Sequence, residues 1–154
     1  MSSPFFAQFF GINEINLLLD LGLSFLAGFL IGAERESRGK DAGISTHTMV
    51  IIGAMLFTFM SSLVDPASKS RIAAQIVSGI GFLGAGLIVK DGANVKNLTT
   101  AASIWVSGAI GMAFGFNFHA IGLIVAFLVA IIPRIPHINK KSPESLLEQK
   151  NKSK

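Results

Sequence analysis

The 154-residue chain contains no cysteine, only 14% charged residues, and no Lys or Arg among its first fourteen positions. Each absence excludes something. Without cysteine there is no disulfide framework and no thiolate metal site. An ordinary soluble domain carries about 25% charge, so so low a content argues against one. A secretory signal peptide opens on a positive segment, and none is present here; the first apolar run is therefore expected to persist in the mature protein.

What fills the chain instead is apolar surface and glycine. Hydrophobic residues make up 51% of it, with 16 glycines and a mean hydropathy of +0.60. Glycine is more frequent in membrane helices than in soluble ones. The pI near 9.7 reflects basic residues gathered between apolar runs and in the tail, a distribution that suits membrane edges and not nucleic acid.

Five apolar segments, Ile15–Ala33, Thr48–Val64, Ile72–Val89, Thr99–Phe116 and Ala120–Ile135, have 16 to 19 residues each. At about 1.5 Å per residue they suit a hydrocarbon core of about 30 Å at its short end. Asp65-Pro66, Asp91-Gly92 and Gly115-Phe116-Asn117 break the runs, and Pro133 and Pro136 fray the fifth. Ser45 or Thr46 is expected to cap the second helix and Asn97 the fourth. The expected fold is all-α, a polytopic membrane bundle of about five transmembrane helices over residues 1–136, followed by a polar cytoplasmic tail, 137–154. Lys and Arg number three in the first loop, two in the second, two in the third, none in the fourth and six at the C-terminal end. An N-out, C-in topology leaves only the second loop's pair outside, as the positive-inside rule favours.

Small residues mark packing seams. Gly28 and Gly32 are four apart in the first span, and Ser103, Ser107, Gly111 and Gly115 form one stripe in the fourth. That stripe suits helices of one chain or of two, so a homo-oligomer stays open. Gly79, Gly81, Gly84 and Gly86 crowd the third span, where packing is expected and a kinked helix lining a cavity is the alternative. Residues 79–84, G-I-G-F-L-G, match a dinucleotide fingerprint in letters only, because that motif needs a preceding strand.

Two charged features need partners. Asp20 lies within the first span, where a carboxylate is costly. Arg71 and Gln75, at the start of the third span, are its candidate partners, in a structural pair or a cation or proton site. The second feature is the island from Glu34 to His47, E-R-E-S-R-G-K-D-A-G-I-S-T-H. Glu34 and Glu36 oppose the dipole at a helix C-terminus, which favours Arg35 and Arg38. Glu34 and Arg38, four apart, can pair. The N-termini of the second and fourth helices come to the same side and attract anions. This brings Thr46, His47, Asn97, Thr99 and Thr100 towards the island. Such a cluster could be a structural lock, a docking surface for a partner, or a site for a hard cation such as Mg²⁺ held by carboxylates and water. Ser45 and His47 are only two apart and form no nucleophile–base–acid arrangement. No catalytic residue and no cofactor is assigned.

The segments G-x-x-x-G-x-E-R-E at 28–36, G-x-x-T-H at 43–47, S-R-I-A-A-Q-I-V-S-G-I-G-F-L-G-A-G at 70–86 and N-L-T-T-A-A-S-I-W-V at 97–106 resemble the MgtC/SapB family of bacterial inner-membrane proteins. The resemblance spans about residues 15–132. It implies about five membrane helices and a multi-pass place in the cell inner membrane. It also implies a link to magnesium homeostasis and low-magnesium growth, to virulence through survival in macrophages, and to binding membrane partners such as an ATP synthase or a transport ATPase. Larger relatives add a soluble C-terminal domain, so this chain resembles a short form. The family usually has Arg where this chain has Ser45, which removes one cation from the island. The expected function is a non-enzymatic membrane regulator that binds a membrane partner. An ion (Mg²⁺ or H⁺) transporter or ion-binding protein is the alternative.

Overall fold

The first helix sets the logic of the bundle. Asp20, Ser24, Ala27, Gly28, Ile31 and Gly32 recur at three- and four-residue spacing and are all buried, while Leu18, Phe25, Phe29 and Leu30 on the other faces are exposed. The polarity is inverted relative to a soluble protein. Asp20, Ser24, Thr58, Ser61 and Ser107 have no exposed surface, whereas Phe82 is 80% exposed. Polar groups turned inward and large apolar groups turned outward are what a lipid solvent selects.

A computed structural model describes residues 12–64, 67, 68, 70–92 and 94–135. Among these residues five helices follow in order: α1 (Ile12–Ser37), α2 (Ile44–Val64), α3 (Ser70–Leu87), α4 (Leu98–Gly115) and α5 (His119–Ile131). A 3₁₀ turn, Ile132–Arg134, closes the last helix at Pro133. Three of the helices are long and apolar enough to cross a membrane, and α3 and α5 are shorter apolar helices. The fold is the expected all-α membrane bundle.

Helices α2 and α4 form the centre. Helix α1 packs on α2 and α5, while α3 lies against α4 and α2. One core joins Ala27, Ile31, Ile51, Met55, Ile110, Phe114 and Ala126; a second lies under α3 around Ala54, Ala73, Ile76, Ile80 and Ile104. Glycines set the two closest crossings. A methyl group at Gly28 would meet Thr48, and one at Gly32 would meet the backbone of Ile44. A methyl group at Gly111 would strike the carbonyl of Ile51, and one at Gly115 that of Met55. The α4 stripe therefore joins helices of one chain. Gly122, Ala126 and Ala130 form a further small stripe on α5.

Three expectations are corrected, and one turn gains a context. Helix α2 starts at Ile44, so Ser45 and Thr46 lie inside its first turn and do not cap it. The Glu36 side chain takes the Ile44 N–H instead, at 2.9 Å. Asn97 stands at the N-cap of α4 with φ of 64° and makes no side-chain cap bond there. Gly79, Gly81 and Gly86 meet no neighbour within 4 Å, so of the α3 glycines only the buried Gly84 packs, where a methyl group would lie 3.5 Å from the Ala101 carbonyl of α4; α3 runs unbroken. The turn at Asp91-Gly92 belongs to a hairpin of β1 (Val89–Asp91) and β2 (Asn94–Lys96), paired antiparallel with Val89 opposite Lys96. Asp91 pairs with Asn94, so Gly92 opens the two-residue loop, a position that favours glycine, and takes a positive φ there. Asp65, Pro66, Pro136 and the tail from 137 lie outside the described residues.

Candidate functional site

Two polar assemblies occupy opposite ends of the bundle. The larger lies where α1 ends and α2 and α4 begin. Glu34 and Arg35 are buried on the last turn of α1, at 4% and 1% exposure, and His47 is fully buried on the first turn of α2. The Arg35 guanidinium donates through Nη2 to Thr100 Oγ1 at 2.7 Å, tying α1 to α4. His47 Nδ1 lies 2.9 Å from the Gly43 carbonyl, and its Nε2 lies 3.2 Å from Ser103 Oγ. Ser103 in turn donates to the Thr100 carbonyl at 2.8 Å, and Ser107 to that of Ser103 at 2.9 Å. A chain of hydroxyls thus continues the charged end into the apolar interior, each donor spending its proton on a carbonyl one turn earlier.

The rim is built from the same island. Arg38 Nη1 lies 3.5 Å from Glu34 Oε1 and also donates to the Pro133 carbonyl, which fastens the end of α1 to the end of α5. Asn97 Nδ2 donates to Asp41 Oδ2 at 2.6 Å, holding the α1–α2 loop to the start of α4. Gly43 has no room for a side chain because the Glu36 carboxylate occupies that space on its way to Ile44. Thr46 and Thr99 are exposed. The structure thus brings Glu34, Arg35, Arg38, His47 and Thr100 together, with Glu36, Asn97 and Thr99 around them and Thr46 on the outside. Asp41 was not anticipated, although it belongs to the island and its length suits an amide partner.

At the other end, Asp20 accepts a hydrogen bond from or pairs with His119, with Nε2 to Oδ1 at 2.7 Å. This corrects the expectation of Arg71 or Gln75. Helix α3 lies against α2 and α4, away from α1. Arg71 is exposed at its start, and Gln75 lines a cavity between α2 and α3. His119 opens α5, which packs directly on α1. Asp20 lies early in the first helix and His119 starts the fifth, so both fall at one end of the bundle, as Arg71 does; what separates the candidates is that α5 packs on α1.

Several buried polar atoms have no hydrogen-bond partner: Asp20 Oδ2, Ser24 Oγ, Glu34 Oε2, Arg35 Nε and Thr48 Oγ1. In a low-dielectric interior each costs about 1–3 kcal/mol. They mark where these assemblies have spare bonding capacity. Among the described residues no group of three or more His, Cys, Asp or Glu side chains is placed to hold a metal ion.

Two cavities lie among the helices. One of about 570 Å³ runs between α2 and α3 and is walled by Met49, Gly53, Phe57, Ile76, Gly79 and Leu83, with Gln75 as a polar member. The other, of about 280 Å³, lies beside the charged end between α1, α4 and the end of α5.

Known proteins place the sequence. The chain is 50% identical over 111 residues to Protein MgtC of Brucella abortus, covering 70% of this chain and 46% of that protein. It is 51% identical over 100 residues to Protein MgtC of Salmonella typhimurium, covering 65% and 43%. The chain thus spans somewhat less than half the length of these relatives. No solved structure matches it. The profile of the MgtC family matches residues 21–138. With its helices, its inward polar residues and half of its aligned positions shared with these proteins, the chain belongs to the MgtC family.

Proposed function

We propose that this chain is a multi-pass protein of the bacterial inner membrane, oriented N-out and C-in, that acts without catalysis by binding a membrane partner. The observation that carries this reading is the α2–α3 cavity. It is apolar, it lies at the depth of the spans, and glycines on both walls, Gly53 and Gly79, leave open space at their α-carbons. Small residues are what admit a neighbouring membrane helix to close range. The occupant proposed is an apolar transmembrane helix of another membrane protein. The charged end supports the same view, since Arg35, Glu36, His47 and Asn97 spend hydrogen bonds inside the chain and act as a lock. A role in magnesium homeostasis or low-magnesium adaptation follows the family resemblance.

The test is purification from native membranes with Gly79→Leu, which fills the groove, beside Phe82→Leu on the outward face. A stoichiometric membrane complex that survives Phe82→Leu and is lost in Gly79→Leu is expected. A complex indifferent to Gly79→Leu removes the groove from the mechanism. A second reading, ion binding or transport, rests on Asp20, whose Oδ2 lies buried and unpartnered beside the His119 contact, as does Ser24 Oγ one turn on. Liposome flux of Mg²⁺ or H⁺ that disappears in Asp20→Asn would favour this reading over the first.

A further inference from the structure

The smaller cavity shares Arg35, Arg38 and Ser103 with the lock and adds Lys40 and the unpartnered Nε of Arg35. Arg35, Arg38 and Lys40 line it at the charged end together with Thr99 and Ser103, and Val106, Val129 and Ile132 line its apolar part. Its lining residues include three cations and no carboxylate. Of the nearby acids, Asp41 accepts from Asn97, and Glu34 meets only Arg38 of the three cations, through Oε1 at 3.5 Å, which leaves Arg35 and Lys40 without a carboxylate contact among the described residues. Arg35 is 1% exposed, yet its Nε has no partner. Thr99 lies in the first turn of α4, where backbone N–H groups are not taken up within the helix and favour an anion.

We propose that this cavity binds the phosphate headgroup of an anionic membrane lipid, with Arg35, Arg38 and Lys40 around the phosphate and an acyl chain along Val106, Val129 and Ile132. The shared chemistry is a phosphate oxyanion, for which guanidinium forks are well shaped. A lipid is favoured over free phosphate because polar and apolar walls meet in one cavity at the end of the spans. The volume of about 280 Å³ is near the low end of small-molecule sites, enough for a headgroup and the first part of a chain. This inference is independent of the partner proposed above.

The full chain, purified in a neutral detergent, is offered phosphatidylglycerol or phosphatidylcholine, and bound lipid is counted by native mass spectrometry. Preference for phosphatidylglycerol of about tenfold is expected, equivalent to about 1.4 kcal/mol between the two lipids. Ala102→Phe, at an exposed position on the cavity wall, should abolish the preference without altering charge. Arg38→Gln combined with Lys40→Gln should reduce it to about twofold. Because both sets of substitutions lie at exposed positions, helix content by circular dichroism is expected to match the parent. Equal retention of the two lipids overturns the proposal. So does a preference untouched by Ala102→Phe, which would signal a general attraction of the charged end. Displacement of lipid by millimolar inorganic phosphate alone would reassign the cavity to a free anion.

Discussion

The two sides of the bundle use glycine in opposite ways. On the side of α1, α2 and α4, glycine brings backbone against backbone: Gly32 on Ile44, Gly111 on Ile51 and Gly115 on Met55. On the side of α3, Gly79, Gly81 and Gly86 face open space, and only a narrow row including Ala73, Ile76 and Ile80 is buried. In lipid there is little hydrophobic drive between helices, so tight contact must come from shape and polar bonds. The first side has both, including the Arg35–Thr100 and His47–Ser103 contacts. The second has a cavity. The same residue type thus marks a fixed seam in one place and an unfilled surface in the other.

A graded series of substitutions would break or sharpen this contrast. Gly32→Ala and Gly111→Ala should cost most, about 3 kcal/mol, because a methyl group there meets backbone that cannot swing aside; unfolding in mixed micelles measures it. Arg35→Leu should cost about 2 kcal/mol, the loss of a charge-assisted hydrogen bond to Thr100, and the same assay should show Thr100→Val to be non-additive with it. Gly108→Ala should cost about 1 kcal/mol or less, since its methyl group meets only the flexible end of Ile80. Gly79→Ala, Gly81→Ala and Gly86→Ala should leave stability unchanged or raise it by up to about 1 kcal/mol through helix propensity. If Gly81→Ala destabilises as much as Gly32→Ala, the distinction between the two sides fails.

Much of this was legible in the residues. The apolar runs and their breakers located five helices, and the spacing of Ser103, Ser107, Gly111 and Gly115 marked a seam. Helix ends were less legible. Glu36 reaches forward eight residues to cap Ile44, and a cap supplied from the previous helix leaves no local signature beside Ser45 and Thr46. Gly79, Gly81 and Gly86 misled where Gly84 did not, because composition reports that close approach is feasible, and not whether a neighbour is there to approach. Asp20 was correctly singled out as needing a partner, but Arg71 and Gln75 were chosen by depth alone. Which helices are adjacent is decided by packing, and α5 rather than α3 lies on α1.

The pairing of Asp20 with His119 also has a consequence for biosynthesis. The two residues are separated by 99 positions, which at about 5–20 residues per second takes about 5–20 s to translate. During that interval the first helix holds an ionisable carboxylate whose partner has not been made, at an insertion cost of about 2.5 kcal/mol or less this near a span's end. The Asp20–His119 contact can form only once the fifth helix has been made. Chains stopped before residue 119 should be cleared by membrane proteases faster than the full chain in a pulse-chase, and Asp20→Leu should narrow the difference.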